Sequence, residues 1–131
     1  MVNTQILRIS ALSIKTTPSD AAATVELTSV LDELRVLVEG ALRESDIQLE
    51  WQTQEHLPLV WADPYGLIQV FLNLVKNSQR AMKATEVKKL QISALLEETH
   101  VSVRFEDTGT GIANPEDLFR VHSGQVQRIL D

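Results

Sequence analysis

Apolar residues return at helical spacing in two windows of the chain and at alternating spacing in four shorter ones. From Asp63 to Lys83, Leu67, Ile68, Phe71, Leu74, Val75 and Met82 fall on one face, which predicts a long amphipathic helix. Asp63 followed by Pro64 marks its start, because the Asp carboxylate accepts from an orphan backbone N–H and Pro at the first position needs no partner. A second helix is predicted from Thr28 or Ser29 as cap to about Glu44, with Asp32 and Glu33 in its first turn. Its core stripe is Val30, Leu31, Leu34, Val38 and Leu42.

Alternation predicts strands at 24–27, 47–51, 88–97 and 100–106, the last two closing as a hairpin over the short Glu97–His100 connection. Residues 1–22 carry no comparable pattern. They read as a linker, or as the remnant of an element belonging to a preceding region, with the domain proper at 23–131. Strands and helices in this order predict an α+β two-layer sandwich, a sheet with helices on one face.

Composition narrows the picture. At 131 residues the chain is long enough for one domain with a real core. A net charge of -6 argues against a nucleic-acid binder that works by phosphate neutralisation. There is no cysteine, which excludes a disulfide framework or thiolate metal site. No apolar run reaches membrane-spanning length and the N-terminus lacks a signal-peptide pattern, so no membrane contact and a cytoplasmic location are expected. Any membrane anchor of a parent protein would lie outside this segment.

Two stretches carry candidate chemistry. Gln69, Asn73, Asn77 and Arg80 follow at spacings of four, four and three, a polar stripe on the central helix. Asn is a poor interior helix residue, since its amide competes for backbone hydrogen bonds. An amide oxygen is a hard neutral ligand suited to Mg²⁺, and an arginine one turn on can meet phosphate charge. The stripe reads equally as the solvent face of an amphipathic helix. The second stretch is Asp107-Thr108-Gly109-Thr110-Gly111-Ile112, directly after a strand, where glycines allow close backbone approach to a ligand. Asp107 there can accept from an exocyclic amine, which favours adenine over guanine. An ordinary glycine turn is the plain alternative. Asp-Thr-Gly is also the aspartic-protease signature, but a long central helix fits that all-β architecture badly.

Together the two stretches resemble the ATP-binding catalytic domain of sensor histidine kinases, in the wider group that includes gyrase, Hsp90 and MutL. Leu72–Met82 resembles the N box, in a form similar to nitrogen-regulation kinases, and Asp107–Ile112 resembles the first glycine box. The resemblance covers roughly residues 24–119 and implies a Bergerat-type ATP-binding fold with ATP and Mg²⁺ as cofactors. It implies that Asn77 coordinates the metal and that Asn73 lies beside the phosphates. Arg80 falls at a basic phosphate contact, with Lys76 a weaker candidate. Asp107 matches the adenine-recognising aspartate, and Gly109, Gly111 and Ile112 belong to the pocket beside the base. Leu118-Phe119 resembles the start of the lid, while Ala81 stands where many members place an aromatic residue.

The chain shows no second glycine box and no phosphoacceptor histidine motif at His56, His100 or His122. The resemblance therefore implies a domain incomplete at its C-terminal end. It also implies a partner, a histidine-bearing dimerisation domain of a parent kinase, with a response regulator as indirect partner. Asn73 cannot take a proton, which favours phosphoryl transfer to histidine over base-assisted ATP hydrolysis. The competing expectation is a degenerate domain of the same fold that serves only for docking.

Overall fold

The computed structural model describes residues 3–12 and 24–109. In chain order its elements are β1 (Asn3–Ser10), β2 (Thr24–Val25), α1 (Leu27–Glu44), β3 (Gln48–Thr53), β4 (Val60–Trp61), α2 (Pro64–Ala81), β5 (Lys89–Glu97) and β6 (His100–Asp107). Four strands form a mixed sheet in the order β1-β6-β5-β3, and β2 and β4 form a small separate pair. Among the described residues β3 and β5 run parallel, while the β5–β6 hairpin and the β1–β6 pair are antiparallel. The two-layer α+β architecture expected from the pattern is the one observed.

Period-two alternation decides which side of the sheet is covered. Leu7 and Ile9 of β1, Leu90, Ile92 and Ala94 of β5, and Val101, Val103 and Phe105 of β6 are all buried toward the helices. Against them α1 sets Leu27, Val30, Leu31, Leu34, Val38 and Leu42, and α2 sets Leu67, Ile68, Val70, Phe71, Leu74 and Val75. The Phe71 and Phe105 rings meet at 5.7 Å between centroids, joining α2 to the middle of β6. Arg35 of α1 lies 4.8 Å over the Trp51 ring and closes the β3 edge.

Three details differ from the sequence reading. Residues 3–10, within the stretch read as linker or remnant, form a full strand paired with β6 along its whole length. Its inward positions are Asn3, Gln5, Leu7 and Ile9, so half of its covered face is polar and the alternation is disguised. Helix α1 begins at Leu27 after Glu26, with no side-chain cap, rather than at a Thr28 or Ser29 cap. Burial of Leu27 draws it into the first turn and leaves Asp32 and Glu33 beyond that turn. The predicted strand at 24–27 is only Thr24–Val25, because the chain turns helical as soon as Val25 is buried against β4. By contrast Asp63 caps α2 as expected, accepting from the Gly66 N–H at 2.8 Å.

Candidate functional site

At one edge the interlayer space changes character. Asn77 and Ser78 of α2, Gln5 and Asn3 of β1 and Asp107 of β6 put polar side chains between layers that are apolar elsewhere. Asn77 is 6% exposed and Asp107 only 1%. Groups so buried require hydrogen-bond partners, since an unmet one costs about 1–3 kcal/mol.

The partners come chiefly from β1. Asn77 Nδ2 donates to Gln5 Oε1 at 3.2 Å. Gln5 Nε2 in turn donates to the Leu74 carbonyl at 3.1 Å and to Ser78 Oγ at 3.4 Å. Two residues back along the strand, Asn3 Nδ2 donates to Asp107 Oδ1 at 2.9 Å. Because residues two apart in a strand share a face, Asn77 and Asp107 lie on the same side of the sheet, each bonded to its own β1 side chain.

The loop after β6 is fixed from several directions. The Gly109 N–H donates to Asp107 Oδ1 at 2.8 Å. Thr108 Oγ1 donates to the Val87 carbonyl at 2.6 Å and accepts from the Lys89 N–H at 3.0 Å. Gly109 lies against the end of α2, so tightly that a Cβ there would stand 2.6 Å from the Ala81 carbonyl oxygen. Here glycine is required by close approach, and that contact brings the Asp107 loop against the N-box helix. The same contact gives Ala81 a packing role.

The polar stripe of α2 is graded in depth along its arc. At about 100° per residue, Asn73 is about 40° around the helix from Asn77, Arg80 about 60° and Gln69 about 80°. Exposure follows that angle: Asn77 is buried, Asn73 half-buried, and Arg80 and Gln69 exposed. Arg80 joins Lys76, Lys83 and Lys88 along a groove of about 600 Å³ whose other wall carries Glu44 and Asp46. Arg80 and Lys76 therefore share a basic groove on the outer side of α2, whereas Asn77 faces inward. Gly111, Ile112, the Leu118-Phe119 pair and His122 lie outside the described residues.

Sequence reasoning missed Asn3 and Gln5, and it gave no role to Ser78 and Thr108, which fall inside the two quoted stretches. Asn3 and Gln5 share parity with Leu7 and Ile9, and that parity was the available signal. For Ser78 and Thr108 the signal was membership of those stretches, which does not say what either side chain bonds. Among the described residues no three His, Cys, Asp or Glu side chains gather to hold a metal. An ion held here would need Asn77 together with oxygens of a ligand and water, the donor set that suits Mg²⁺. The buried Asp107 carboxylate fits an N–H donor such as an adenine amine. Among the same residues no helix is long and apolar enough to cross a membrane.

An amide-bearing helix packs on a mixed sheet, its end clasped by a glycine loop. The chain belongs to the histidine kinase-, DNA gyrase B- and HSP90-like ATPase family, whose model matches residues 62–128, and within it to the ATP-binding domains of histidine kinases. It is 31% identical over 93 residues to the sensor histidine kinase ZraS of Escherichia coli (strain K12), a match covering 71% of this chain and 20% of that protein. The catalytic domain of histidine kinase ThkA superposes with a TM-score of 0.61 at 29% identity, covering 73% of this chain and 66% of that one. The Acinetobacter baumannii histidine kinase AdeS shares the fold, with a TM-score of 0.61 at 24% identity over 76% of this chain and 52% of that one. The chain thus spans about a fifth of ZraS and about half of AdeS.

Proposed function

We propose that the chain is the nucleotide-binding part of a two-component sensor histidine kinase, and that it binds Mg-ATP between α2 and the Asp107 loop. The observation that carries this reading is the placement of Asn77 and Asp107 on one side of the sheet, each held by a neighbouring β1 amide. In this reading Asp107 accepts from the adenine amine, and Gly109, with Gly111 and Ile112 beyond it, lines the base pocket. Asn77 presents its amide oxygen to Mg²⁺, Asn73 lies beside the phosphates, and Arg80 with Lys76 supplies positive charge from the outer groove. Mg-ATP would supply the γ-phosphoryl group, received by a histidine of a separate dimerisation domain and passed on to a response regulator. Asn73 has no basic atom for activating water, which supports transfer over hydrolysis.

Thermal unfolding with and without Mg-ATP tests the reading. A ligand that binds only the folded state adds about 2.7 kcal/mol at about 100 times Kd, and the melting temperature must rise. Asp107→Asn is expected to remove most of that rise, because an amide can turn a donor toward the adenine amine. No rise at millimolar nucleotide in the parent chain would replace this reading with a docking domain of the same fold.

A further inference from the structure

Asn3 and Gln5 lie outside the two boxes that carry the family resemblance, yet each bonds to one of the two residues on which the proposed site depends. Asn3 stands opposite Asp107 in the β1–β6 register and Gln5 opposite Phe105, so both face the helix layer. Asp107 Oδ1 accepts twice, from Asn3 Nδ2 at 2.9 Å and from the Gly109 N–H at 2.8 Å. A carboxylate oxygen offers two lone pairs, so those bonds fill Oδ1 and direct an incoming donor to Oδ2. Gln5 acts on the other residue. Its Oε1 takes the Nδ2 proton of Asn77, while its own Nε2 is held by the Leu74 carbonyl and Ser78 Oγ. Gln5 is thus fixed at both ends of its amide, and its oxygen accepts from the nitrogen end of the Asn77 amide. The other end of that amide is the Asn77 oxygen, the atom able to ligate a hard cation.

We propose that Asn3 and Gln5 are positioning residues for nucleotide: Asn3 aims the Asp107 carboxylate at the base, and Gln5 aims the Asn77 amide oxygen at the metal. The inference rests on the nucleotide-binding reading above. It makes the N-terminal strand part of the site, because adenine selectivity and metal dependence each depend on one β1 side chain.

Calorimetric titration of the full chain with ATP and with inosine triphosphate, which carries an oxygen in place of the exocyclic amine, separates aiming from bulk structure. Asn3→Ala is expected to raise the Kd for ATP about tenfold, the equivalent of one charge-assisted hydrogen bond, and to leave that for inosine triphosphate unchanged. Gln5→Met, similar in length but without the amide, is expected to raise the Mg²⁺ concentration for half-maximal ATP binding about fivefold or more, with metal-free affinity unchanged. Apo melting curves check that both variants fold. Asn3 is half-buried at the sheet edge, so its arm decides the matter if Gln5→Met does not fold. Equal losses for both nucleotides, unchanged affinities, or tighter binding by Asn3→Ala would each overturn the inference while leaving the nucleotide reading intact. No ATP binding by the parent chain would overturn both.

Discussion

The two helices are of equal length, 18 residues, and cover the same sheet, yet they bury different things. The buried set of α1 is wholly aliphatic, and its outer face is loose enough to leave Val36 79% exposed. Helix α2 buries a comparable apolar row and adds Asn77 and Ser78 near its C-terminal end. A packing helix gains nothing from those two residues, since Asn lowers helix propensity and buried polar groups must find partners. Their partners come from β1, across the interface. The difference separates a helix that supports the sheet from one that also builds a site.

The strongest way to test that contrast is to remove core from the helix that does both. Phe71→Ala deletes a fully buried ring in contact with Phe105 and is expected to cost about 3–5 kcal/mol in denaturant unfolding. Val36→Ala on the outer face of α1 is expected to stay within about 0.5 kcal/mol. Similar losses from the two would mean that α1 packs on its outer face as well.

Two glycines extend the comparison to the ends of the helices. A Cβ on Gly109 would collide with Ala81 backbone atoms, which cannot swing aside, and a Cβ on Gly40 of α1 meets nothing within 4 Å. Gly109→Ala is therefore expected to destabilise by about 1–3 kcal/mol, as overpacking does. Gly40→Ala is expected to stabilise by about 0.5–1 kcal/mol through helix propensity and a less flexible unfolded chain. Melting temperatures moving in opposite directions check both, and a stabilising Gly109→Ala would show that the loop does not clasp α2 in solution.

The same contrast explains what the sequence could reveal. Helix α2 was legible because its apolar spacing and its Asp-Pro start agree, and its burial follows both. The β5–β6 hairpin was legible for a similar reason: apolar positions alternate from Leu90 to Ala94 and from Val101 to Phe105, on either side of a two-residue turn at Glu98-Thr99. Strand β1 was not, because its inward face is half amide and its partner lies about a hundred residues away, beyond any local pattern. The stripe from Gln69 to Arg80 was legible as a stripe but not in how deeply each of its residues is covered. Spacing places residues on one side of a helix, while the neighbouring sheet decides which of them within about 80° of arc is covered. The start of α1 was misread because Thr28 and Ser29 are good caps by type, whereas burial of Leu27 outweighs a cap of about 1 kcal/mol.

That misread start gives the smallest and most selective test of the contrast. At α2 the Asp63 carboxylate holds the Gly66 N–H at 2.8 Å, and at α1 the flanking Glu26 makes no side-chain cap bond. Asp63→Ala leaves an orphan donor to water and removes a negative charge from the positive end of the helix dipole, a loss of about 1 kcal/mol. Glu26→Ala removes no cap bond, and the exposed charge is expected to contribute only a few tenths of a kcal/mol through the dipole. Because the two sites are distant and share no partners, the double variant should show the sum of the single effects to within about 0.5 kcal/mol. A Glu26→Ala loss as large as that of Asp63→Ala would mean that a side chain does cap α1 in solution, and that its first turn differs from the one described.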